Sequence, residues 1–316
     1  MIAAVADIGG TRIKLALVAD SKTIAEAECS SDPAMGLKAK LSDMAIAFSA
    51  MLHNAALSPR DCAGIGFGFP GVVDPHQKRV LTTYGKFVDA PTLDLPNWAK
   101  SEFGLPFTIE SDSRAALQGE RVAGAGRNCD DAVMLTLGTG LGTAAIVQGQ
   151  MLYGAHLQAG ILGGHVTVQV GGPQCSCGNL GCAEALASTA VLHSRFLQRD
   201  RSGSSALRKC GTVSYEDVFR LAALGDHCAM ELRAEAISVW AVVIVNLIHS
   251  YDPERVIVGG GIMSGANAFF DDLVGRVHKR AHTPWGRVEI VPAQLGTRAG
   301  VIGLASFVEK HARENP

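Results

Sequence analysis

The sequence predicts an α/β protein made of two related domains that face each other across a cleft. Three observations lead to this. At 316 residues the chain can hold two domains and a sizeable core. A strand–glycine turn–strand unit occurs near the start of each half: IAAVADIGGTRIKLALVAD opens the chain, and Ala132–Leu137, LGTGLG and TAAIVQGQMLYG repeat the pattern. The stretches between alternate helical periodicity with short apolar runs that end in glycine.

Each element has a local reason. After the first hairpin, residues 38–54 carry helical periodicity. CAGIGFGFPGVV (62–73) reads as a buried strand ending in a Pro-Gly turn, and residues 75–100 read as loop-rich. Residues 107–110 form a short strand running into a helix over 113–123. Helices are expected over 183–198 and 215–224, the latter capped by Ser214 with Asp217 three residues on. RDRSGSSALRKC (199–210) reads as a polar surface loop. A long helix follows over 227–251. Its apolar run, ISVWAVVIVNLI, is 12 residues broken by Ser238 and Asn246, too short to span a bilayer. Residues 255–258 form a strand that feeds a glycine triplet, and a helix over 300–313 follows.

Composition narrows the function classes. Charged residues make up 18%, below the roughly 25% usual for soluble chains, which points to extra buried surface such as an oligomer interface. The net charge is −2 and the pI about 6.5, so no nucleic-acid footprint is expected. MIAAVADIGG lacks the basic region and cleavage site of a signal peptide. A cytoplasmic, reducing location is therefore expected, with no membrane partner. Five of the eight cysteines (Cys29, Cys62, Cys129, Cys210, Cys228) are scattered and read as packing residues, as do Trp98 and Trp240.

The remaining three are clustered. In HVTVQVGGPQCSCGNLGCAE (165–184), a C-x-C followed by C-x4-C (Cys175, Cys177, Cys182), with His165 upstream, offers four soft or borderline ligands. That set suits a closed, structural tetrahedral zinc. A reducing compartment disfavours a disulfide, and a redox pair calls for C-x-x-C. Unligated thiols are the alternative.

The glycine turns point to phosphate. DIGGT (Asp7, Gly9, Gly10, Thr11) lies between strands, whereas Walker and dinucleotide loops feed a helix. Glycines let backbone approach a ligand, and successive N–H groups form an anion nest. Asp7 is placed to hold Mg²⁺ through water. A tight hairpin with a capping aspartate is the plainer reading of one such turn. LGTGLG (with Gly138, Thr139, Gly140) and GGGIM (Gly259, Gly260, Gly261) are two more, each at a strand end. Together the three fit a nucleoside triphosphate.

DIGGT, GFPGVVD, SDSRAA, LGTGLG, the His/Cys cluster and DPERVIVGGGIM, in this order over essentially the whole chain, resemble the ROK family of sugar kinases. The resemblance implies a two-domain actin-like, ribonuclease H-like ATPase fold with a zinc knuckle, with ATP and sugar meeting in the cleft, and a homodimer. It implies a small N-terminal domain over 1–115 joined by a returning helix over 300–316, and a large domain over 116–299 carrying the zinc loop 165–184. Some members are transcriptional repressors with an N-terminal helix-turn-helix. With DIGGT starting at residue 7, no room is expected for that module.

The same resemblance assigns roles. Asp112 matches the catalytic aspartate that takes the hydroxyl proton, although aspartate before a helix is also a common cap. Arg12 stands where lysine is more usual and is expected near a phosphate. Pro70 and Gly71 place a turn beside the sugar; His165 and Glu184 bracket the zinc knuckle, which fixes the loop presenting sugar-binding groups, Glu184 among them. Two positions depart from the family. Ser111 replaces the usual asparagine. Leu162, three before His165, stands where a sugar-binding glutamate is expected. Losing a buried acceptor weakens binding of the usual hexose. The expectation is an ATP- and Mg²⁺-dependent kinase acting on a hydroxyl, the primary one, of a hexose or derivative, with specificity shifted from that of glucokinases. A non-catalytic sugar sensor of the same fold is the second reading.

Overall fold

The computed structural model describes residues 1–314. It divides into two compact units. The first comprises Met1–Asn128, Tyr153–Ala159 and the chain from Thr297 onward; the second comprises Cys129–Leu152 and Gly160–Gly296.

In the first unit, β1 (Ile2–Ile8), β2 (Arg12–Ala19) and β3 (Lys22–Ser30) form an antiparallel meander, followed by α1 (Lys38–Asn54). Then come β4 (Cys62–Phe69), a β5 (Val72–Asp74)–β6 (Arg79–Thr82) hairpin, α2 (Leu95–Phe103), β7 (Phe107–Ser111) and α3 (Asp112–Ala123). The sheet order is β3-β2-β1-β4-β7, with β4 and β7 parallel to β1. β1 is apolar up to Asp7 because both its faces are covered. Ala4, Ala6 and Ile8 join Met44 and Phe48 of α1 in one core, while Ala3 and Val5 face another.

Two features differ from the sequence reading. The opening hairpin continues into β3, an edge strand in which exposed and half-buried residues alternate. Its two-residue turn is Asp20-Ser21, both at positive φ (49° and 59°), a hairpin turn made without glycine. The stretch read as loop-rich holds β6 and the start of α2. Asp94 Oδ1 accepts from Asn97 N (3.0 Å) to start α2, and left-handed Gly104 (φ 68°) stops it.

The second unit repeats the plan. β8 (Ala132–Leu137), β9 (Leu141–Val147) and β10 (Gln150–Met151) are antiparallel. They are followed by α4 (Ala183–Ala187), α5 (Thr189–Arg199), α6 (Tyr215–Ala223), α7 (His227–Tyr251), β11 (Arg255–Gly259), α8 (Phe270–Arg280) and β12 (Glu289–Pro292). The order β10-β9-β8-β11-β12, with β11 and β12 parallel to β8 and to each other, matches that of the first sheet. β12 falls where no element was expected. α7 is largely buried, with Trp240 at 0% exposure.

The single helix expected over 183–198 is broken at Ser188 (ψ 161°). The break frees the Ala187 carbonyl, which accepts from Tyr215 Oη (2.9 Å) and Trp240 Nε1 (3.1 Å). It also turns Thr189 N and Ala190 N onto the carbonyls of Gly138 (2.9 Å) and Thr139 (3.2 Å). Tertiary hydrogen bonds thus override a continuous local periodicity.

The last helix, α9 (Ala299–Glu314), belongs to the first unit. Residues 315 and 316 of the expected 300–316 helix lie outside the described residues. Val301, Leu304, Ala305 and Val308 pack under Ala3, Val5, Ala16 and Val18. α9 meets α3 backbone to backbone: a β-carbon on Gly303 would lie 1.8 Å from the Ala115 carbonyl oxygen.

Candidate active site and metal centre

The carboxyl ends of β1, β4 and β7 bring the acidic candidates together. Asp7 is in register with Gly68, and Phe69 with Ser111. Such strand ends are where ligands bind in open α/β sheets. The Asp7 carboxylate lies against two glycines, and a β-carbon on Gly300 would come within 2.7 Å of Asp7 Oδ2. Desolvation by burial and then the charge of Asp112 push Asp7 from 3.8 up to about 7, with Lys14 pulling the other way. Asp112 opens α3. Its Oδ1 accepts from Ser113 N (2.6 Å) and Ser113 Oγ (3.1 Å). Burial raises its pKa, opposed by those hydrogen bonds and by the Lys86 charge. Two desolvated carboxylates side by side favour a proton or a cation between them.

Asp112 is held by a network that sequence reading did not find. Glu110 of β7 and Arg114 of α3, four residues apart, form an ion pair at 3.4 Å with side chains 1% and 0% exposed. Glu110 Oε1 accepts from Ser111 N (2.8 Å), and Oε2 accepts from Tyr153 Oη (2.6 Å). Arg114 Nη2 donates to the carbonyls of Leu157 (2.9 Å) and Ala159 (3.1 Å), and its guanidinium lies 4.5 Å over the Tyr153 ring. Burial raises the pKa of Glu110 despite the Arg114 charge. Arg114 thus ties Glu110, next to Ser111 and Asp112, to the segment that carries Leu157 and Ala159. The only sequence signal was an arginine among alanines on a buried helix face.

The other first-unit candidates fall as follows. Gly9 N donates to Arg12 O (3.0 Å), closing the DIGGT turn. Thr11 is exposed. Arg12 Nη1 pairs with Glu28 Oε2 at 3.0 Å on an open strand face. Gly71 is buried, and a β-carbon there would meet Thr82 O at 2.3 Å, so backbone packing requires glycine. Ser111 is 1% exposed and makes no side-chain cap bond.

In the second unit, Gly138 N donates to Gly140 O (3.1 Å) within LGTGLG. Glu184 Oε2 accepts from Leu141 N (2.9 Å), and a β-carbon on Gly140 would lie 2.5 Å from that oxygen. Glu184 therefore braces the second glycine turn, a contact that sequence reading did not anticipate. Gly260 (φ 93°) presses against Leu137, so the Gly259–Gly261 turn adjoins the Gly138–Gly140 turn. Leu162 is half-buried and its carbonyl accepts from His165 N (2.9 Å).

The four predicted metal ligands, His165, Cys175, Cys177 and Cys182, converge, with ligand atoms all within 4.8 Å of one another. Tetrahedral zinc at about 2.3 Å from sulfur and 2.0 Å from nitrogen needs S···S near 3.8 Å and S···N near 3.5 Å. Cys177 and Cys182 Sγ are 3.7 Å apart, and Cys175 Sγ is 3.5 Å from His165 Nδ1. Asn179 Nδ2 donates to Cys182 Sγ (3.3 Å), a support outside the four ligands. The donor set fits zinc in type, number and spacing. Among the described residues no helix is long and apolar enough to cross a membrane.

The ROK family model matches residues 3–311. The chain belongs to the ROK family. Its ROK relatives include both regulators and enzymes. It is 28% identical to the xylose repressor of Bacillus spizizenii over 80% of this chain, and the match spans 63% of the repressor's length. It is 32% identical to the glucokinase of Thermotoga maritima over 78% of this chain and 79% of the enzyme. Among solved ROK structures, a Streptomyces griseus glucokinase in complex with glucose and AMPPNP superposes with a TM-score of 0.78, at 26% identity over 98% of this chain and 100% of that one. The fold is the ROK actin-like ATPase fold.

Proposed function

We propose that this ROK protein is an ATP-dependent kinase that phosphorylates a hydroxyl, the primary one, of a hexose or hexose derivative. The observation that carries the reading is Asp112, a desolvated carboxylate fixed at a strand end beside Asp7 and the DIGGT turn. Burial raises its pKa, which makes it a stronger proton acceptor than an ordinary carboxylate. The similarity to a glucokinase, and to a glucokinase structure in complex with glucose and AMPPNP, supports the same chemistry.

The roles follow from position. Gly9–Arg12 in the first unit and Gly138–Gly140 with Gly259–Gly261 in the second are assigned to ATP through backbone N–H groups. Asp112 takes the proton as the sugar oxygen attacks phosphorus. Phosphoryl transfer asks little covalent chemistry of the protein beyond this positioning and charge neutralisation. Asp7 would hold Mg²⁺ through water, and when bound the ion would neutralise phosphate charge. His165, Cys175, Cys177 and Cys182 would hold a structural zinc that fixes the loop before Glu184. Gly71, Ser111, Leu162, His165 and Glu184 are assigned to the sugar. Ser111 and Leu162 remove polar reach, which favours a deoxy, substituted or differently configured sugar.

The similarity to xylose repressors favours one competing reading, a sugar-binding protein without turnover. ADP release, measured with ATP, Mg²⁺ and a panel weighted toward unusual hexoses, amino sugars and substituted glycosides, separates the two. Turnover with any sugar supports the kinase. Sugar binding without turnover across the panel supports the sensor.

A further inference from the structure

Lys86, in a loop no motif had marked, lies beside the reacting groups of the first unit. A β-carbon on Gly10 would stand 3.3 Å from Lys86 Nζ and 3.6 Å from its Cε, so the ammonium rests on the glycine face of the DIGGT turn. Its charge also acts on Asp112. Among the described residues its side chain has no hydrogen-bond or ion-pair partner, so the ammonium's donors are uncommitted. The loop is pinned on both sides. Lys86 N donates to Thr83 O (3.0 Å) and Phe87 N to Pro33 O (3.2 Å). The Phe87 ring is fully buried, 6.1 Å from Phe69. Asp89 then anchors the loop to α1 by accepting from Leu37 N (2.7 Å) and Lys38 N (2.9 Å). Tyr84, Gly85 and Phe87 all sit at positive φ (47°, 82° and 51°). Left-handed backbone at two aromatic residues is unfavourable by about 1–3 kcal/mol each and persists where the surroundings impose it. The strain presents one long cation toward a glycine turn and a carboxylate.

We propose that Lys86 holds the transferred phosphoryl group, resting on the kinase reading above. The sugar oxygen forms its bond to the γ-phosphorus while the bond from that phosphorus to the β–γ bridging oxygen breaks. ADP leaves with the electron pair, and the hydroxyl proton passes to Asp112. The negative charge on the three equatorial oxygens is met by the Lys86 ammonium, in a position where backbone N–H groups alone carry no full charge. Lysine suits the task as a compact point charge on a stem that can follow the phosphorus as it moves. Glycine at position 10 leaves the ammonium room to lie against the turn.

The test compares Lys86→Met and Lys86→Arg with the wild type on whichever sugar of the panel is turned over fastest. Lys86→Met should lower kcat about 10²–10³-fold, the usual loss when one transition-state charge donor is removed. The sugar KM should change less than about 3-fold, since ground-state sugar binding does not use the ammonium. Lys86→Arg should recover about 10-fold or more of the lost kcat, because it keeps the charge with imperfect reach. A melting midpoint for Lys86→Met equal to that of the wild type would confirm that the loop still folds. Equal kcat in Lys86→Met and wild type overturns the role of Lys86 and leaves the kinase reading standing. So does a loss of kcat that Lys86→Arg does not relieve. Wild type without turnover on any sugar overturns the kinase reading and this role with it.

Discussion

Replacing Arg114 with methionine removes the cation from a fully buried network while keeping most of the side-chain volume. Glu110, 1% exposed, is left with Tyr153 Oη and Ser111 N but without its counter-charge. The carbonyls of Leu157 and Ala159 lose their common donor. Breaking a buried pair from one side costs about 3–5 kcal/mol. Orphaned carbonyls add about 1–3 kcal/mol each where water cannot reach them, less where the chain relaxes. A net loss of about 4 kcal/mol or more is expected, a large fraction of the roughly 5–15 kcal/mol that holds a typical domain. Urea unfolding followed by far-UV circular dichroism reads this directly. A second variant, Arg114→Met combined with Glu110→Gln, removes the uncompensated charge and should recover about half of the loss. A single variant within about 1 kcal/mol of wild type would refute the claim that this network holds the Asp112 strand end. So would a double variant no better than the single one.

Other consequences follow from the same geometry. Purified protein should carry about one zinc per chain by metal analysis, and a chelator should lower the melting midpoint because metal binding is coupled to folding of the loop. Protein prepared under reducing conditions without zinc, and unaffected by chelator, would contradict the four-ligand site. Asp7 rises from 3.8 to about 7 in the folded chain, so between about pH 4 and 7 the folded state keeps a proton that the unfolded state has lost. That group's contribution to stability therefore falls as pH rises through this window. Without divalent cations, Asp7→Asn should raise the melting midpoint more at pH 8 than at pH 4; an equal change at both pH values would show that Asp7 is not perturbed. Glu184→Ala should raise KM for ATP several-fold as well as KM for the sugar, because Leu141 N loses its acceptor. Glu184→Gln, which keeps an acceptor, should restore the ATP term. An effect confined to the sugar would deny the link to the glycine turn.

The parts legible in the sequence were those specified locally. α1 and α7 matched their residue-by-residue periodicity, and the glycine turns marked both meanders. The Cys/His spacing identified four residues that converge in space. Features set by distant partners stayed hidden. β3 follows a turn of Asp20-Ser21, which lacks the glycine that flags a hairpin. The break at Ser188 depends on Tyr215 and Trp240, far along the chain. Asp112 could be chosen from its motif. Glu110, Arg114 and Tyr153 could not, because Tyr153 lies 43 residues from the carboxylate it meets. Lys86 approaches Gly10 through a loop whose shape comes from strained residues and a buried ring.

The most direct test of the central claim is product formation by wild type and Asp112→Asn, side by side. Each is incubated with ATP, Mg²⁺ and the sugar panel, and sugar phosphate is detected by mass spectrometry. The account predicts a sugar phosphate from wild type with at least one sugar. It predicts a rate at least about 10²-fold lower from Asp112→Asn, since general-base help is worth about 10²–10⁴ in rate. The variant should keep an unchanged melting midpoint. Comparable product from both proteins, or none from wild type on any sugar, would contradict it.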